Sequence, residues 1–388
     1  MRAQWTTVPI RDLYEGLYDG PHATPKTSDE GPVFLGIKNV TDDGQLDLSD
    51  IRHIAEEDYA TWTRRIEPRP GDIVFTYEAT LNRYAIIPEG FRGCLGRRMA
   101  LIRPDSKKVD TGFLFYSFFS PAWRDVITNN IISGATVDRI PLVTFPNFPI
   151  NVPPLPEQRQ IASTLSAYDE LIENSQRRIK ILEEMARALY REWFVHFRFP
   201  GHEKLPRVAS PLGDIPQGWE VGRLDDVLIL QRGFDLPKAD RAEGTIPIYA
   251  ATGVTGFHNE AKVKAPGVVT GRSGSIGDVR YVQEDFWPLN TALWVKEFPK
   301  SEPLYAFYVL SSLDLKQFNS GAAVPTLNRN DVHGLDALIP PHPLQKRFQK
   351  ITGAMHAQAR TLTLQLENLR RTRDLLLPRL LSGQVSLS

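Results

Sequence analysis

Two stretches in the second half of the sequence carry side chains that can read nucleic-acid bases. These side chains are Arg272, Ser273 and Ser275 in "GRSGSIG" (271–277), and Asn328, Arg329 and Asn330 in "PTLNRNDV" (325–332). Arginine can donate two hydrogen bonds to guanine, and asparagine can pair with the edge of adenine. The stretches therefore predict contacts with bases or phosphates. The competing interpretation is two ordinary turns whose polar side chains face only water.

The first half of the sequence carries a comparable concentration of basic residues. Residues 83–108 contain seven arginines and lysines but only two acidic residues, Glu89 and Asp105. The candidates for nucleic-acid contact here are Asn82, Arg83, Arg97, Arg98, Lys107 and Lys108, with the pair Arg64 and Arg65 as a weaker signal. A basic face that is merely solvated is the competing interpretation.

No convincing catalytic constellation is present. The sequence lacks a Gly-x-x-x-x-Gly-Lys-Ser/Thr phosphate loop, an Asn/Asp-Pro-Pro-aromatic motif and a glycine-rich loop suited to S-adenosylmethionine. A nuclease-like set of Asp235, Glu260 and Lys262 can be assembled, but such spacings arise by chance when 24% of residues are charged. The single cysteine, Cys94, is interpreted as a small buried residue, and the eight histidines are scattered. We therefore expect a chain that is not catalytic and that binds no cofactor or metal itself.

Composition places the chain among ordinary globular proteins. Of its 388 residues 41% are hydrophobic, and 46 basic residues balance 46 acidic ones. Zero net charge argues against indiscriminate nucleic-acid binding but allows a locally basic face. No run of 18 apolar residues is present, and the opening "MRAQWTTVPI" has no apolar leader. We therefore expect a cytoplasmic protein without membrane contact.

An internal repeat organises the chain. Residues 134–160 lie over residues 321–347 without a gap, at an offset of 187, and the matched residues include Gly134, Ala135 and Val137 with Gly321, Ala322 and Val324. The repeat contains two proline-rich stretches, "VPPLPEQ" (152–158) and "IPPHPLQ" (339–345). Before each of them the same elements follow in order, three strands and then a helix. The predicted strands are 71–77, 84–88 and 99–104, then 267–272, 277–282 and 291–297, and the predicted helices are 113–127 and 303–313.

A long helix is predicted after each proline-rich stretch. Apolar or small residues recur there at 4-3-4-3 spacing, which is typical of a coiled-coil seam. The first seam is Ile161, Leu165, Tyr168, Ile172, Ser175, Ile179, Leu182, Ala186, Leu189 and Trp193, and the second is Phe348, Thr352, Met355, Ala359, Leu362, Leu366, Leu369, Arg373, Leu376 and Leu380. A helix of about 36 residues is ~54 Å long, and the two seams are expected to pack together.

The predicted fold class is α+β. Two duplicated, strand-rich α+β domains, residues 1–152 and 201–339, would be separated by an antiparallel coiled-coil pair of long helices, residues 153–200 and 340–388.

Several stretches together resemble the specificity subunit of Type I restriction-modification systems. They are "PLPEQRQIA" (154–162), "ALYREWFVHFRFPG" (188–201), "GRSGSIGDVRYV" (271–282), "AAVPTLNRNDV" (322–332) and "LLPRLLSGQV" (376–385). The resemblance extends over essentially the whole chain, with two departures. The stretch "PPHPLQKRF" lacks the usual glutamate before its glutamine, and "EATLNRYAI" (78–86) lacks a glycine-rich turn.

The resemblance implies two target-recognition domains, each reading one half of a bipartite, asymmetric DNA sequence. The helices would set the spacer and dock the modification (methyltransferase) subunits, through exposed side chains that include Trp193, Phe194, Phe197 and Phe199. S-adenosylmethionine, ATP and Mg would belong to partner subunits, among them a restriction subunit that translocates and cleaves DNA. A stand-alone, sequence-specific DNA-binding regulator with two reading heads is one alternative. An enzyme with an unrecognised active site is the other.

Overall fold

The structure, a computed structural model, describes residues 5–134, 137–321, 323–385 and 387. The chain divides into two compact units. The first unit combines Met1–Asn174 with Leu366–Ser388, and the second comprises Ser175–Gln365. Each unit therefore contains one strand-rich region and part of both long helices, so the predicted domain boundaries at 152, 200 and 339 stay predictions. Ala135 and Ala322 of the repeat lie outside the described residues.

The first unit is built from short strands followed by helices. Its strands are β1 (Thr6–Pro9), β2 (Tyr14–Asp19), β3 (Ser28–Leu35), β4 (Arg52–His53), β5 (Ile73–Glu78), β6 (Thr80–Ile86), β7 (Gly93–Leu95), β8 (Met99–Pro104) and β9 (Pro149–Val152). Its helices are α1 (Tyr59–Trp62), α2 (Thr111–Ser117), α3 (Pro121–Asn130) and the beginning of α4 (Leu155–Tyr190).

An antiparallel four-stranded sheet with the order β2-β8-β5-β6 holds the core of the first unit. Its strand β5 is buried on both faces: Phe75 packs in one cluster with Phe113 and Trp123 of the helices, and Val74 packs in another cluster with Leu101. This division follows from the two-residue period of a strand, whose successive side chains point to opposite faces. A second sheet, β4-β3-β7, pairs β3 with β7 in parallel.

The continuous helix predicted over 113–127 is wrong, because the structure has two helices, α2 and α3, in this region. Ser120 accepts a hydrogen bond from the backbone N–H of Trp123 at 3.2 Å, and Pro121 occupies the first turn of α3. A serine cap followed by proline begins a helix, since the proline nitrogen has no N–H to continue the preceding one.

The second unit repeats this plan. Its strands are β10 (Arg207–Ser210), β11 (Gly213–Pro216), β12 (Glu220–Arg223), β13 (Ile229–Arg232), β14 (Ile246–Ala250), β15 (Gly253–His258), β16 (Gly267–Gly271), β17 (Val279–Val282), β18 (Trp287–Pro288), β19 (Ala292–Glu297) and β20 (Asp336–Ile339). Its helices are α5 (Leu224–Val227), α6 (Pro303–Ser312), α7 (Arg329–His333), the end of α4 and the beginning of α8 (His342–Leu381).

The strand orders confirm the predicted duplication. The orders β13-β19-β16-β17 and β15-β14-β18 reproduce those of the first unit strand by strand, including one parallel pair, β14 with β18. The pairing of β1 with β9 is likewise reproduced by the pairing of β12 with β20. Neighbouring residues again divide between two clusters, Val268 in one and Val269 in the other.

The two long helices are confirmed, with 36 residues in α4 and 40 in α8. Every predicted seam position is buried or half-buried. In the first unit, Leu165 of α4 packs in one cluster with Leu380 of α8, and Arg373 of α8 donates to Asp169 of α4 at 2.7 Å. Residue numbers rise along one helix as they fall along the other, so the two segments are antiparallel within this unit.

The glutamine of the first proline-rich stretch ties the start of α4 to the start of α2. Gln158 is buried, accepts a hydrogen bond from the backbone N–H of Asp110 at 2.9 Å, and donates to the carbonyl of Pro153 at 2.8 Å. Asp110 is the residue that caps α2. One amide side chain therefore joins the proline-rich stretch to the helix of the strand-rich region.

Gln345 has the same role in the second unit. It is fully buried, accepts from the backbone N–H of Glu302 at 2.9 Å, and donates to the carbonyl oxygens of Pro340 and Lys300 at 2.8 and 3.0 Å. Glu302 stands at the N-cap of α6, the counterpart of α2. The sequence shared by the two proline-rich stretches therefore produces the same hydrogen-bonded joint in both units.

The two joints differ at the residue before this glutamine. Glu157 accepts a hydrogen bond from the indole nitrogen of Trp5 at 3.3 Å. Its counterpart Leu344 packs against the cluster that contains Trp219, whose buried indole nitrogen has no partner among the described residues. An unpaired buried donor costs about 1–3 kcal/mol. The second joint therefore lacks the tryptophan hydrogen bond that the first joint makes.

A second pair of equivalent contacts links each strand-rich region to the helix that follows it. The hydroxyl of Tyr116 donates to Asp169 of α4 at 2.7 Å, and the hydroxyl of Tyr308 lies 2.9 Å from Nε2 of His356 of α8. Asp169 and His356 are themselves 187 residues apart, so the repeat places both contacts.

The stability of the second unit is expected to fall on acidification because of His356. Burial lowers the pKa of His356 to about 4, whereas an unfolded histidine has a pKa of about 6.5. The unfolded chain then binds the additional proton, so the contribution is complete above about pH 6.5 and is lost as pH falls towards 4, by about 2–3 kcal/mol. Urea unfolding at pH 7 and pH 4.5 measures this loss.

The matched control is His356→Gln, which keeps a polar partner for Tyr308 and has no titrating group. The difference in pH dependence between wild type and variant isolates the histidine from the carboxylates. Equal pH dependence in both proteins would contradict the prediction.

Candidate nucleic-acid interface

The structure brings together the two stretches of the second unit that the sequence predicts to contact bases. The turn after β16 lies against the segment before α7, where Ser273 and Thr326 form an isolated β-bridge. The N–H of Gly274 donates to the carbonyl of Pro325 at 2.9 Å, and the N–H of Leu327 donates to the carbonyl of Arg272 at 2.8 Å. Side chains separated by about 50 positions in the sequence therefore share one end of the four-stranded sheet.

Glycine is required at two positions of this turn. A Cβ atom at Gly271 would lie 1.7 Å from the carbonyl oxygen of Ser275, and Gly274 has a φ of 95°. No side chain fits the first position, and the second lies in the left-handed region that favours glycine. The glycines hold the turn closed and leave Ser275 exposed at its tip.

Arg272 is anchored rather than free. Its Nε donates to the carbonyl oxygen of Asn290 at 2.7 Å. The side chain of Asn290 in turn donates to Asp235, which also pairs with Arg232 at 3.1 Å. A chain of polar groups therefore runs along this end of the sheet, with guanidinium and amide groups still able to donate outward.

The candidates in "PTLNRNDV" divide by role. Asn328 caps α7, since its Oδ1 accepts from the backbone N–H of Asn330 at 3.1 Å. Arg329 donates to the carbonyl of Leu230 at 3.4 Å. The Asn330 side chain is exposed. The side chain of Asn328 therefore serves the local fold first, while Asn330 faces solvent.

The first unit builds the same arrangement with different residues. The N–H of Ala79 donates to the carbonyl of Asp138 at 3.1 Å, and the N–H of Ile140 donates to the carbonyl of Tyr77 at 2.8 Å. Residues 77–79 therefore occupy the positions of residues 272–274, and residues 138–140 those of residues 325–327. The glycine-rich turn is replaced by a tight β5–β6 hairpin.

Left-handed backbone makes this hairpin end possible without glycine. Ala79, Asn82 and Arg98 have φ values of 69°, 63° and 73°, a region that residues with a side chain rarely adopt. Strain of this kind concentrates at functional sites. The Oδ1 atom of Asn82 is also buried without a hydrogen-bond donor among the described residues.

Most of the basic candidates here already have acidic partners. Arg98 pairs with Glu78 at 3.1 Å, and Arg83 pairs with Asp42 at 2.5 Å. Arg97 is exposed and makes no hydrogen bond or ion pair with any residue that the structure describes. It lines a concave surface together with Phe34, Lys38, Arg52 and Arg98.

Lys107 and Lys108 are not part of this surface. They follow the C-terminal end of β8, whereas Arg97 and Arg98 precede its N-terminal end. A strand of six residues spans ~20 Å, and Lys108 pairs with Asp105 at 3.3 Å. The structure therefore separates candidates that the sequence grouped by proximity.

Comparison with known proteins covers both halves of the chain. The Type I restriction modification DNA specificity domain matches residues 39–184 and 216–367. The chain belongs to this family. The Type I restriction enzyme MjaIX specificity subunit of Methanocaldococcus jannaschii is 27% identical over 358 residues, which cover 86% of this chain and 82% of the relative. A putative type I restriction enzyme MjaX specificity subunit of the same organism is 21% identical over 409 residues, covering 98% and 93%.

A solved structure shows the same fold. The crystal structure of a Type-I restriction-modification system S subunit from M. genitalium matches with a TM-score of 0.69 and 18% identity, covering 98% of this chain and 96% of the other. The predicted resemblance and the α+β fold with two recognition domains are therefore confirmed. The chain is a specificity subunit of the Type I restriction-modification class.

Three further residues lie at these ends of the two sheets and were not among the predicted nucleic-acid contacts. Asn290 and Asp235 join the polar chain beside Arg272, and the exposed Arg139 lies beside Glu78, which it bridges through the backbone. The repeat offers a signal for Arg139, because at the offset of 187 it occupies the position of Thr326. Asp235 was considered only as part of a nuclease-like set.

That nuclease-like set is not assembled as a metal centre. Asp235 pairs with Arg232, while Glu260 pairs with Lys262, whose ammonium lies 4.7 Å from the ring centre of Trp287. Within the described part of the specificity subunit, no group of three histidine, cysteine or acidic residues is placed to hold a metal ion. Cys94 is buried as expected, and burial raises the pKa of its thiol to about 12.

The exposure predicted for the aromatic residues after α4 is wrong. Trp193, Phe194 and Phe199 are 4–5% exposed, and Phe197 is half-buried. They pack inside the second unit, where the ring of Phe194 lies 4.9 Å from that of Phe348. Burial of this apolar area stabilises the unit itself, so these side chains do not provide a docking surface for partner subunits.

Among the residues that the structure describes, no helix is both long and apolar enough to cross a membrane.

Proposed function

We propose that this specificity subunit reads a bipartite DNA sequence, with one half-site contacted by each unit. The observation that carries the proposal is the duplicated turn arrangement at one end of each four-stranded sheet, residues 272–274 with 325–327 and residues 77–79 with 138–140. Equivalent backbone positions carry different side chains in the two units. Because base recognition depends on side-chain donors and acceptors, the two half-sites differ and the target is asymmetric.

The contacts divide into base reading and phosphate binding. Exposed side chains such as Arg97, Arg139 and Asn330 read base edges in the major groove, while paired side chains such as Arg83 and Arg98 orient them and contact phosphates. Net charge is zero, so partner subunits supply part of the phosphate neutralisation. The subunit therefore contributes sequence selection more than general DNA affinity.

We assign the catalytic steps to partner subunits. The relatives are named as specificity subunits, and in this proposal modification subunits bind S-adenosylmethionine and methylate DNA, while a restriction subunit uses ATP and Mg²⁺. The chain itself is non-catalytic and works in the cytoplasm with the chromosomal DNA.

The helices provide the docking surface for the modification subunits in place of the buried aromatic residues. Exposed apolar side chains on α4 and α8 are Leu171 and Leu375 in the first unit and Ile181, Met185 and Leu364 in the second, each 46–54% exposed. In this proposal the modification subunits pack against these side chains, and binding buries their apolar area.

A methylation assay tests the proposal. The purified chain is incubated with genomic DNA and S-adenosylmethionine, alone and together with the modification subunit encoded beside it. We expect no methylation by the chain alone and methylation at a single two-part motif by the complex. Methylation by the chain alone would contradict the proposal. Tight sequence-specific binding that the modification subunit leaves unchanged would instead favour a stand-alone regulator.

A further inference from the structure

Arg97 of the first unit and Asn290 of the second occupy the same backbone position. Residues 96–99 and 289–292 form equivalent turns: the N–H of residue 99 donates to the carbonyl of residue 96 at 3.3 Å, and the N–H of residue 292 to that of residue 289 at 2.9 Å. Each turn is then fixed to the neighbouring strand in the same way. The carbonyl of residue 98 accepts from residue 77 at 3.2 Å, and the carbonyl of residue 291 accepts from residue 272 at 2.8 Å.

We infer that Arg97 and Asn290 are equivalent specificity-determining residues, Arg97 selecting a guanine in one half-site and Asn290 an adenine in the other. The inference rests on the proposed function and adds to it which position and which base each unit uses. Arginine presents two parallel donors that match O6 and N7 of guanine, and an asparagine amide matches N6 and N7 of adenine.

Arg97 is an arginine at this end whose donors are available. Arg98 is held by Glu78 and Arg83 by Asp42, whereas Arg97 is exposed and makes no contact of either kind with the described residues. Lys38 and Arg52 line the same concave surface; Lys38 is paired with Asp50, so Arg52 is the neighbour that adds positive charge beside Arg97. A guanidinium in that setting is attracted to DNA and retains its two-donor face.

Asn290 is held ready for pairing. Its side-chain nitrogen donates to Asp235, and its backbone carbonyl accepts from Nε of Arg272 at 2.7 Å. The second N–H of the amide and its Oδ1 have no partner within the described part of the chain, and these are the two groups that adenine requires. Fixing a side chain before binding reduces the entropy that recognition costs.

The test uses the full chain together with its modification subunit, expressed in a host without other adenine methylation, and maps the methylated motif. For Arg97→Ala we expect preference for guanine over other bases to fall about 5- to 150-fold at one position of one half-site, with the other half-site unchanged. For Asn290→Ala we expect a loss of the same size for adenine at one position of the other half-site. Lys107→Ala, at the far end of β8, is the control and leaves the motif unchanged.

Arg97→Lys separates base reading from phosphate contact. Lysine keeps the charge and can still donate to guanine, but it lacks the planar two-donor fork, so we expect DNA affinity to be retained and the guanine preference to fall. In each variant, the half-site read by the unmutated unit should stay unchanged, which shows that the chain is folded. An unchanged motif in Arg97→Ala or Asn290→Ala, or a uniform fall across all positions, would overturn the inference while the proposed function stands. A wild-type complex without a two-part motif would overturn the proposed function and the inference with it.

Discussion

Inserting four residues in each long helix is expected to lengthen the spacer of the DNA target by about two base pairs, with both half-sites unchanged. Four helical residues add ~6 Å, and DNA rises ~3.4 Å per base pair. The insertions belong after Asn174 in α4 and after Gln365 in α8, where the chain divides between its two units. Both helices must be lengthened together because their segments are antiparallel.

A seven-residue insertion at the same two places tests the geometry more strictly. Seven residues preserve the 4-3 spacing of the seam, whereas four shift its phase. The expected addition is ~10 Å, or about three base pairs. Motif mapping of methylated genomic DNA measures the spacer in each variant. An insertion in α4 alone is the control, and it should abolish methylation because the seam residues no longer face each other.

The alternative outcome is informative. If both helices are lengthened and the complex still methylates the original spacer, the helices do not set the distance between half-sites. If one half-site changes as well, the insertion has disturbed a recognition domain rather than the spacer.

The long helices and their joints were predictable because their signals are local. The spacing of the seam from Ile161 to Trp193 is already visible within two helical turns. Pro153 and Pro154 come directly before α4, which begins at Leu155, because proline is tolerated only in the first turn of a helix. The agreement between the two strand orders followed from the repeat, since two copies of one sequence pattern fold alike, whereas the order itself was not predicted. Helix α3 was missed as a separate element, although Ser120 and Pro121 are a start signal that the sequence contains.

The site was less predictable because it depends on contacts between distant residues. Asn290 lies beside Arg272 only after β16 and β19 have paired, and Arg139 reaches Glu78 only through an isolated bridge. Lys107 was grouped with Arg97 because the two are close in the sequence. The extended strand β8 lies between them and separates them by ~20 Å.

Burial of the aromatic residues was mispredicted for the same reason. An apolar side chain at a helix end carries no information about which residues will cover it. Phe194 is covered by Trp219, just before β12, and by Phe348, which lies much further along the chain.

Replacing Gln345 by alanine is expected to destabilise the second unit by on the order of 3–5 kcal/mol. The change leaves one backbone N–H, of Glu302, and two carbonyl oxygens, of Pro340 and Lys300, without their side-chain partner. A buried group left unpaired costs about 1–3 kcal/mol, and the bonds to Glu302 and Lys300, which are only partly buried, contribute towards the lower end of that range. Gln158→Ala removes two such bonds, so its cost to the first unit is expected to be smaller, about 2–4 kcal/mol.

Hydrogen exchange locates each effect. In Gln345→Ala the amides of α6 should lose protection while those of α2 keep it, and in Gln158→Ala the reverse should hold. Gln358→Ala and Gln160→Ala are matched controls, because these glutamines are exposed on the same helices. A Gln345→Ala protein as stable as Gln358→Ala would contradict the role of the joint.

Gln345→Glu distinguishes hydrogen bonding from packing. Glutamate has nearly the same shape, and its carboxylate can still accept from the N–H of Glu302, but it cannot donate to the two carbonyl oxygens. It also places a negative charge in a fully buried position beside those oxygens, which is costly without a cationic partner. The variant is therefore expected to be no more stable than Gln345→Ala at neutral pH. Recovery of wild-type stability would mean that the side chain acts by filling space. A joint that depends on both donor and acceptor explains why the glutamine recurs in both proline-rich stretches while the residue before it differs.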